Sequence, residues 1–160
     1  IVGYEASFIH ALSPDANTGE VIGPLWRRIL EDKSSIPNRE GDVMYGVIYG
    51  RPNEERSHPD ELQYIAGAPV SATPETLPEG MVHYNVPAHT FAVVVHQGPI
   101  EKIGETCHAL YRQWLPQSDY EHAGVADVER YDERFDGHTE DSMMEYAISV
   151  KLKDDRTAGR

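Results

Sequence analysis

Two acidic strands carry the residues best suited to chemistry. In Glu145-Tyr146-Ala147-Ile148-Ser149-Val150, strand alternation puts Glu145, Ala147 and Ser149 on one face and Tyr146, Ile148 and Val150 on the other. A carboxylate followed by two small residues leaves room for a ligand, whereas the apolar face is suited to lie beneath a helix. In the stretch from Asp127 to Phe135, Glu129, Tyr131, Glu133 and Phe135 share one face, and Val128, Arg130, Asp132 and Arg134 share the other. Aromatic rings beside carboxylates are what a lipophilic cation requires: the rings supply area and cation–π attraction, and the acid neutralises the charge. The Arg130, Asp132 and Arg134 run reads as a solvated cross-strand ladder. The plainer alternatives are that Glu145 sits near a strand end in water and that Glu133 is a loop-edge acid. Tyr45, Tyr49, Tyr64, Tyr84, Phe91 and Trp26 are further candidates for a ligand wall. Nine Tyr against three Phe tilts the set towards a pocket, because a buried Tyr hydroxyl needs a partner.

Other chemistries lack their motifs. The eight histidines include no His-Glu-x-x-His and no Cys/His knuckle, so neither a metal nor any other cofactor is expected. His83, His89 and His96 alternate loosely through two strand-like stretches without converging. Ser118, Ser142 and Ser149 have no nucleophile-elbow context, and no glycine-rich phosphate loop follows a strand. The single cysteine, Cys107, excludes an internal disulfide and reads as an inert core thiol. With 14 basic and 27 acidic residues, the net charge of -13 argues against nucleic acid or an anionic membrane as a partner. Apolar stretches such as Phe91 to Val95 are far too short to span a bilayer. Ile1-Val2-Gly3-Tyr4 has neither a basic start nor a long apolar region, so no secretory leader is expected and the cytoplasm is the expected compartment.

The elements that must position these residues follow from periodicity. Val21, Leu25 and Ile29, widened by Ile22 and Trp26, predict a helix from Thr18 or Gly19 to about Asp32, with Pro24 in its opening turns. Ile100, Ile103, Cys107, Leu110, Tyr111 and Trp114 mark one face of a second helix, begun at Pro99 and stopped by Pro116. Strands are predicted at Val43–Tyr49, Leu62–Ala66, Met81–Val86, Thr90–Val95, Val128–Phe135 and Met143–Lys151. With an opening strand, the order is two βαββ units side by side. This is an α+β fold, an antiparallel sheet with two helices on one face and a cleft between the halves on the other. One domain is expected over 1–152, its halves about 1–78 and 79–152, with 153–160 a flexible tail.

Several short motifs in order resemble the GyrI-like effector-binding domain family, which also forms the drug-sensing half of AraC-type and MerR-type regulators. They include Trp114-Leu115-Pro116, Ser118-Asp119-Tyr120, Tyr131-Asp132-Glu133-Arg134 and Glu145-Tyr146-Ala147-Ile148-Ser149. Tyr64-Ile65-Ala66-Gly67 and Val86-Pro87-Ala88-His89-Thr90-Phe91 match upstream family segments, and the chain is also similar to stand-alone members carried on integron gene cassettes. The resemblance implies a duplicated (SHS2-type) fold whose cleft binds lipophilic, cationic drugs against a buried glutamate. Glu145 is the first candidate for that acid and Glu129 the second. Ala147 and Ser149 stand where the family carries Tyr and Pro, which implies a roomier or re-walled site. The expected function is a stand-alone effector-binding protein with no direct nucleic-acid contact. In the empty protein, Glu145 should be hydrogen-bonded by a Tyr hydroxyl or partly protonated. One alternative is a hydrolase of strained, cyclopropane-bearing natural products, with Glu145 and Glu129 as base and acid. The other is a protein that binds a basic partner, like family members that inhibit gyrase.

Overall fold

A computed structural model describes residues 1–52 and 55–154, so all but the first two residues of the expected tail lie outside the described set. The first half runs β1 (Val2–Ile9), α1 (Thr18–Asp32), β2 (Met44–Tyr49) and β3 (Glu61–Ala68). The second runs β4 (Val82–His83), β5 (Phe91–Gln97), α2 (Ile103–His108), α3 (Leu115–Gln117), β6 (Tyr120–Tyr131) and β7 (Met143–Leu152). The seven strands form one sheet in the order β4-β1-β3-β2-β6-β7-β5, antiparallel throughout. The two halves join along β2 and β6, where Tyr45 pairs with Arg130 and Val47 with Val128.

Both helices cover the same face. The apolar stripe of α1 (Val21, Ile22, Leu25, Trp26 and Ile29) packs on Tyr4, Phe8 and Tyr64, and Asp32 at its end accepts the Tyr4 hydroxyl at 2.7 Å. Ile103, Cys107, Leu110, Tyr111 and Leu115 pack on Met144, Tyr146, Ile148 and Val150, the face of β7 expected to lie beneath a helix. On the opposite face, Val47, Ile65 and Ala126 are buried beneath Tyr49, Val82, Tyr84 and Val86, with no helix above them.

Pro24 lies in the second turn of α1, where the Glu20 carbonyl has no i+4 amide to accept from. Three sequence expectations need correction. The second helix is not uniform: a 3-10 turn (Ile100–Lys102) opens it, and a π-helical stretch (Ala109–Trp114) joins α2 to α3. The wider turn shifts the stripe, and Trp114, expected on the core face, is 41% exposed and stacks beside Tyr120. The strand expected at Met81–Val86 shrinks to the two residues of β4. Finally, β6 starts eight residues early and ends at Tyr131. The Asp132 carboxylate accepts the Arg134 backbone N–H at 3.1 Å and turns the chain out of the sheet, so Glu133 and Phe135 do not continue the strand. Among the described residues, no helix is long and apolar enough to cross a membrane.

Candidate functional site

Strand register builds a cavity on the helix-free face. Tyr45, Arg130 and Glu145 fall in one cross-strand row, and Val47, Val128, Ala147 and Val93 in the next. Phe91 enters from β5, while Pro69 after β3 and Val86 before β5 fence the rim. The cleft is open to solvent and its volume is about 460 Å³, within the range of small-molecule sites. Four residues singled out from the sequence (Glu145, Ala147, Tyr45 and Phe91) line it together.

Glu145 is neither buried nor held by a tyrosine, contrary to expectation. Its side chain is 29% exposed, and Oε1 accepts from Arg134 Nη2 at 3.1 Å while Arg130 Nη1 lies 3.6 Å from Oε2. Both guanidinium groups also engage Asp132, and hydrogen bonding from Arg134 holds that carboxyl well below its ordinary range. Arg130, read from sequence as part of a solvated ladder, is therefore part of the cavity wall.

Of the two candidate glutamates, the buried, tyrosine-held one is Glu129, on the other face. Glu129 pairs across the sheet with Tyr146, and Arg130 with Glu145, so the two glutamates project to opposite sides. They cannot act on one substrate as base and acid, which removes the pairing expected for a hydrolase. Glu129 Oε2 accepts hydrogen bonds from Tyr64 and from Tyr131, the latter at 2.8 Å, and the Tyr64 hydroxyl accepts from Trp26 Nε1 at 2.8 Å. Burial pushes the Glu129 carboxyl up, and its two hydroxyl donors pull against that. Trp26, Tyr64, Glu129 and Tyr131 thus form a self-satisfied network between sheet and helices. Gly46 on β2 makes room for it, since a Cβ there would collide with both the Tyr64 hydroxyl and the Glu129 carboxylate.

Tyr49 and Tyr84 lie on the helix-free face but towards β1. Their rings stack at 4.2 Å, and the Tyr49 hydroxyl is given to Glu5, which also binds Arg51 at 2.8 Å. A further polar group has no signature in the sequence. Asp127, buried on the helix side, accepts from the Tyr111 hydroxyl and lies 2.8 Å from His122 Nε2. The hydrogen bond to Asp127 raises the His122 pKa. The irregular register between His122 and Asp127 and the π-helical stretch that carries Tyr111 bring these side chains together, and no local pattern announces either.

Burial among these groups pushes the Cys107 thiol up to about 11. Thiolate is the reactive form, so Cys107 is expected to resist iodoacetamide at pH 7.5 in the folded protein and to alkylate readily in urea. Equal rates in both states, followed by mass spectrometry, would contradict its placement.

Comparison with known proteins agrees with this architecture. The model of the GyrI-like small molecule binding domain matches residues 5–152. The transcriptional regulator BrlR of Pseudomonas aeruginosa is 35% identical over 120 residues, covering 74% of this chain and 42% of that protein. The chain thus spans less than half the length of this curated relative. Among solved structures, SAV2435 bound to tetraphenylphosphonium superposes with a TM-score of 0.66 at 12% identity, covering 94% of this chain and 87% of that one. Integron cassette protein VCH_CASS2 of Vibrio cholerae gives a TM-score of 0.62 at 18% identity, over 94% and 88% of the two chains. Motifs, topology and the match over nearly the whole chain lead to one conclusion: the chain belongs to the GyrI-like small-molecule-binding domain family.

Proposed function

We propose that this domain binds lipophilic organic cations in the cavity of the helix-free face, with Glu145 as the neutralising acid. The observation that carries the reading is a small-molecule-sized cavity walled by Tyr45, Phe91, Val93, Val128 and Ala147, with one carboxylate in its lining. Apolar walls favour a ligand body that water solvates poorly, and the carboxylate favours one that is positively charged. The net charge of -13 raises the local concentration of cations around the domain. The tetraphenylphosphonium bound to SAV2435, a protein of the same fold, is a ligand of this class.

Binding exchanges one ion pair for another. Arg130 contacts Glu145 at 3.6 Å, the longer of the two arms on that carboxylate, and has a second anchor in Asp132. An incoming cation takes the place of Arg130 beside Oε2 while Arg134 keeps Oε1, so Glu145 is never left unpaired. Contact with DNA is assigned to none of these residues, because the acidic balance opposes it. The lone thiol fits a reducing, cytoplasmic setting.

Calorimetric titration of methyltriphenylphosphonium against neutral triphenylphosphine oxide tests the charge. Glu145→Gln is expected to weaken the phosphonium roughly tenfold, the loss of one partly exposed ion pair, while leaving the oxide within about twofold. Equal losses for both ligands would remove Glu145 from the role.

A further inference from the structure

A cavity selective for cations alone needs only a carboxylate, yet this one also carries a guanidinium. Arg130 and Glu145 line the same space, side by side in one cross-strand row. Arg130, Arg134, Asp132 and Glu145 together form a closed quartet of two positive and two negative groups. Within it, Asp132 is held by both arginines and Glu145 is held firmly by Arg134. The longest link is the one facing the cavity, Arg130 to Glu145 at 3.6 Å.

A ligand that opens this link changes the charge balance in a way that depends on its own charges. A plain cation pairs with Glu145 and leaves Arg130 with Asp132, a carboxylate it already shares with Arg134, as its remaining partner in the quartet. A plain anion pairs with Arg130 and leaves Glu145 short of one partner. A ligand carrying both charges close together replaces the single long ion pair by two and keeps the site neutral. Arg130 is suited to this because the Nη1 that lies 3.6 Å from Glu145 is also held by Asp132, so the guanidinium stays fixed beside the cavity when a carboxylate pairs with it. The walls that receive the rest of the molecule, among them Val93, Val128 and Phe91, carry no charge.

We infer that the cavity selects aromatic zwitterions, molecules with a delocalised cation and a neighbouring carboxylate, over plain lipophilic cations, with Arg130 as the residue that reads the carboxylate. This inference rests on the cation-binding reading of the same cavity and adds its specificity. The two can fail separately.

Rhodamine B and its ethyl ester provide the test, because they share one cationic ring system and differ in the carboxylate. Fluorescence anisotropy at pH 7.5 is expected to give rhodamine B at least tenfold tighter binding than the ester to the unaltered protein. In Arg130→Met, that preference should fall to within twofold. The comparison on the unaltered protein needs no variant, so it stands even where Arg130→Met unfolds. Equal or tighter binding of the ester would overturn the zwitterion selectivity and leave cation binding intact. A preference that survives in a folded Arg130→Met, judged by its melting curve, would overturn the role of Arg130. Failure of both dyes and of methyltriphenylphosphonium to bind would overturn the cation-binding reading and this inference together.

Discussion

Replacing Gly46 by alanine is expected to destabilise the domain by about 3 kcal/mol, far more than a methyl group costs at an ordinary strand position. A Cβ at this site would overlap the Tyr64 hydroxyl and the Glu129 carboxylate. Both are ends of side chains, and at the surface such ends would swing aside. Here they cannot: Tyr64 has no exposed surface, and its hydroxyl is tied to Glu129 and to Trp26. Moving either group unpairs a buried polar atom, which costs roughly 1–3 kcal/mol for each one stranded. Urea denaturation would show the loss as a lower midpoint at unchanged slope. Gly104 is the control, since a Cβ there meets nothing within 4 Å and the residue lies in α2. Gly104→Ala should stabilise by a few tenths to about 1 kcal/mol through helix propensity. A Gly46→Ala variant as stable as its parent would mean that the buried network is not packed as described.

Ala147→Trp is expected to weaken binding of methyltriphenylphosphonium by 100-fold or more and to shift stability by less than about 1 kcal/mol. Ala147 lies between Val93 and Val128 on the helix-free face, with its side chain on the cavity. An indole there fills the space the ligand needs without entering the core beneath the helices, which Tyr146 and Ile148 occupy from the other side. Calorimetry reports the affinity and a melting curve reports the fold. Undiminished binding in a folded variant would move the ligand away from Ala147.

Much of this architecture is legible in the sequence, because it depends on short periods. Alternation alone separates Glu145 and Ala147 from Tyr146, Ile148 and Val150, and the structure keeps that division. The same rule correctly groups Glu129 with Tyr131, but it does not say which side of the sheet they face. That depends on Glu129 standing opposite Tyr146, a pairing between strands distant in the chain. Hence the two acids, first and second candidates from the sequence, divide between faces: Glu145 joins the cavity, and Glu129 joins Tyr64 and Trp26 in the core. The place of Arg130 is hidden for a related reason. In a run with Asp132 and Arg134 it reads as a ladder, whereas Asp132 begins a turn that folds Arg134 back onto Glu145. The Asp127, Tyr111 and His122 group depends on a register shift and a π-helical turn, neither of which has a local signature.

In the proposed binding mode the ligand sits on the helix-free face, and intermolecular NOEs test that placement. With tetraphenylphosphonium bound, its phenyl protons should show NOEs to the methyl groups of Val93, Val128 and Ala147, which line the cavity. NOEs confined instead to Ile48, Ile103 and Ile148, on the helix side of the sheet, would contradict that placement and put the cation against Glu129.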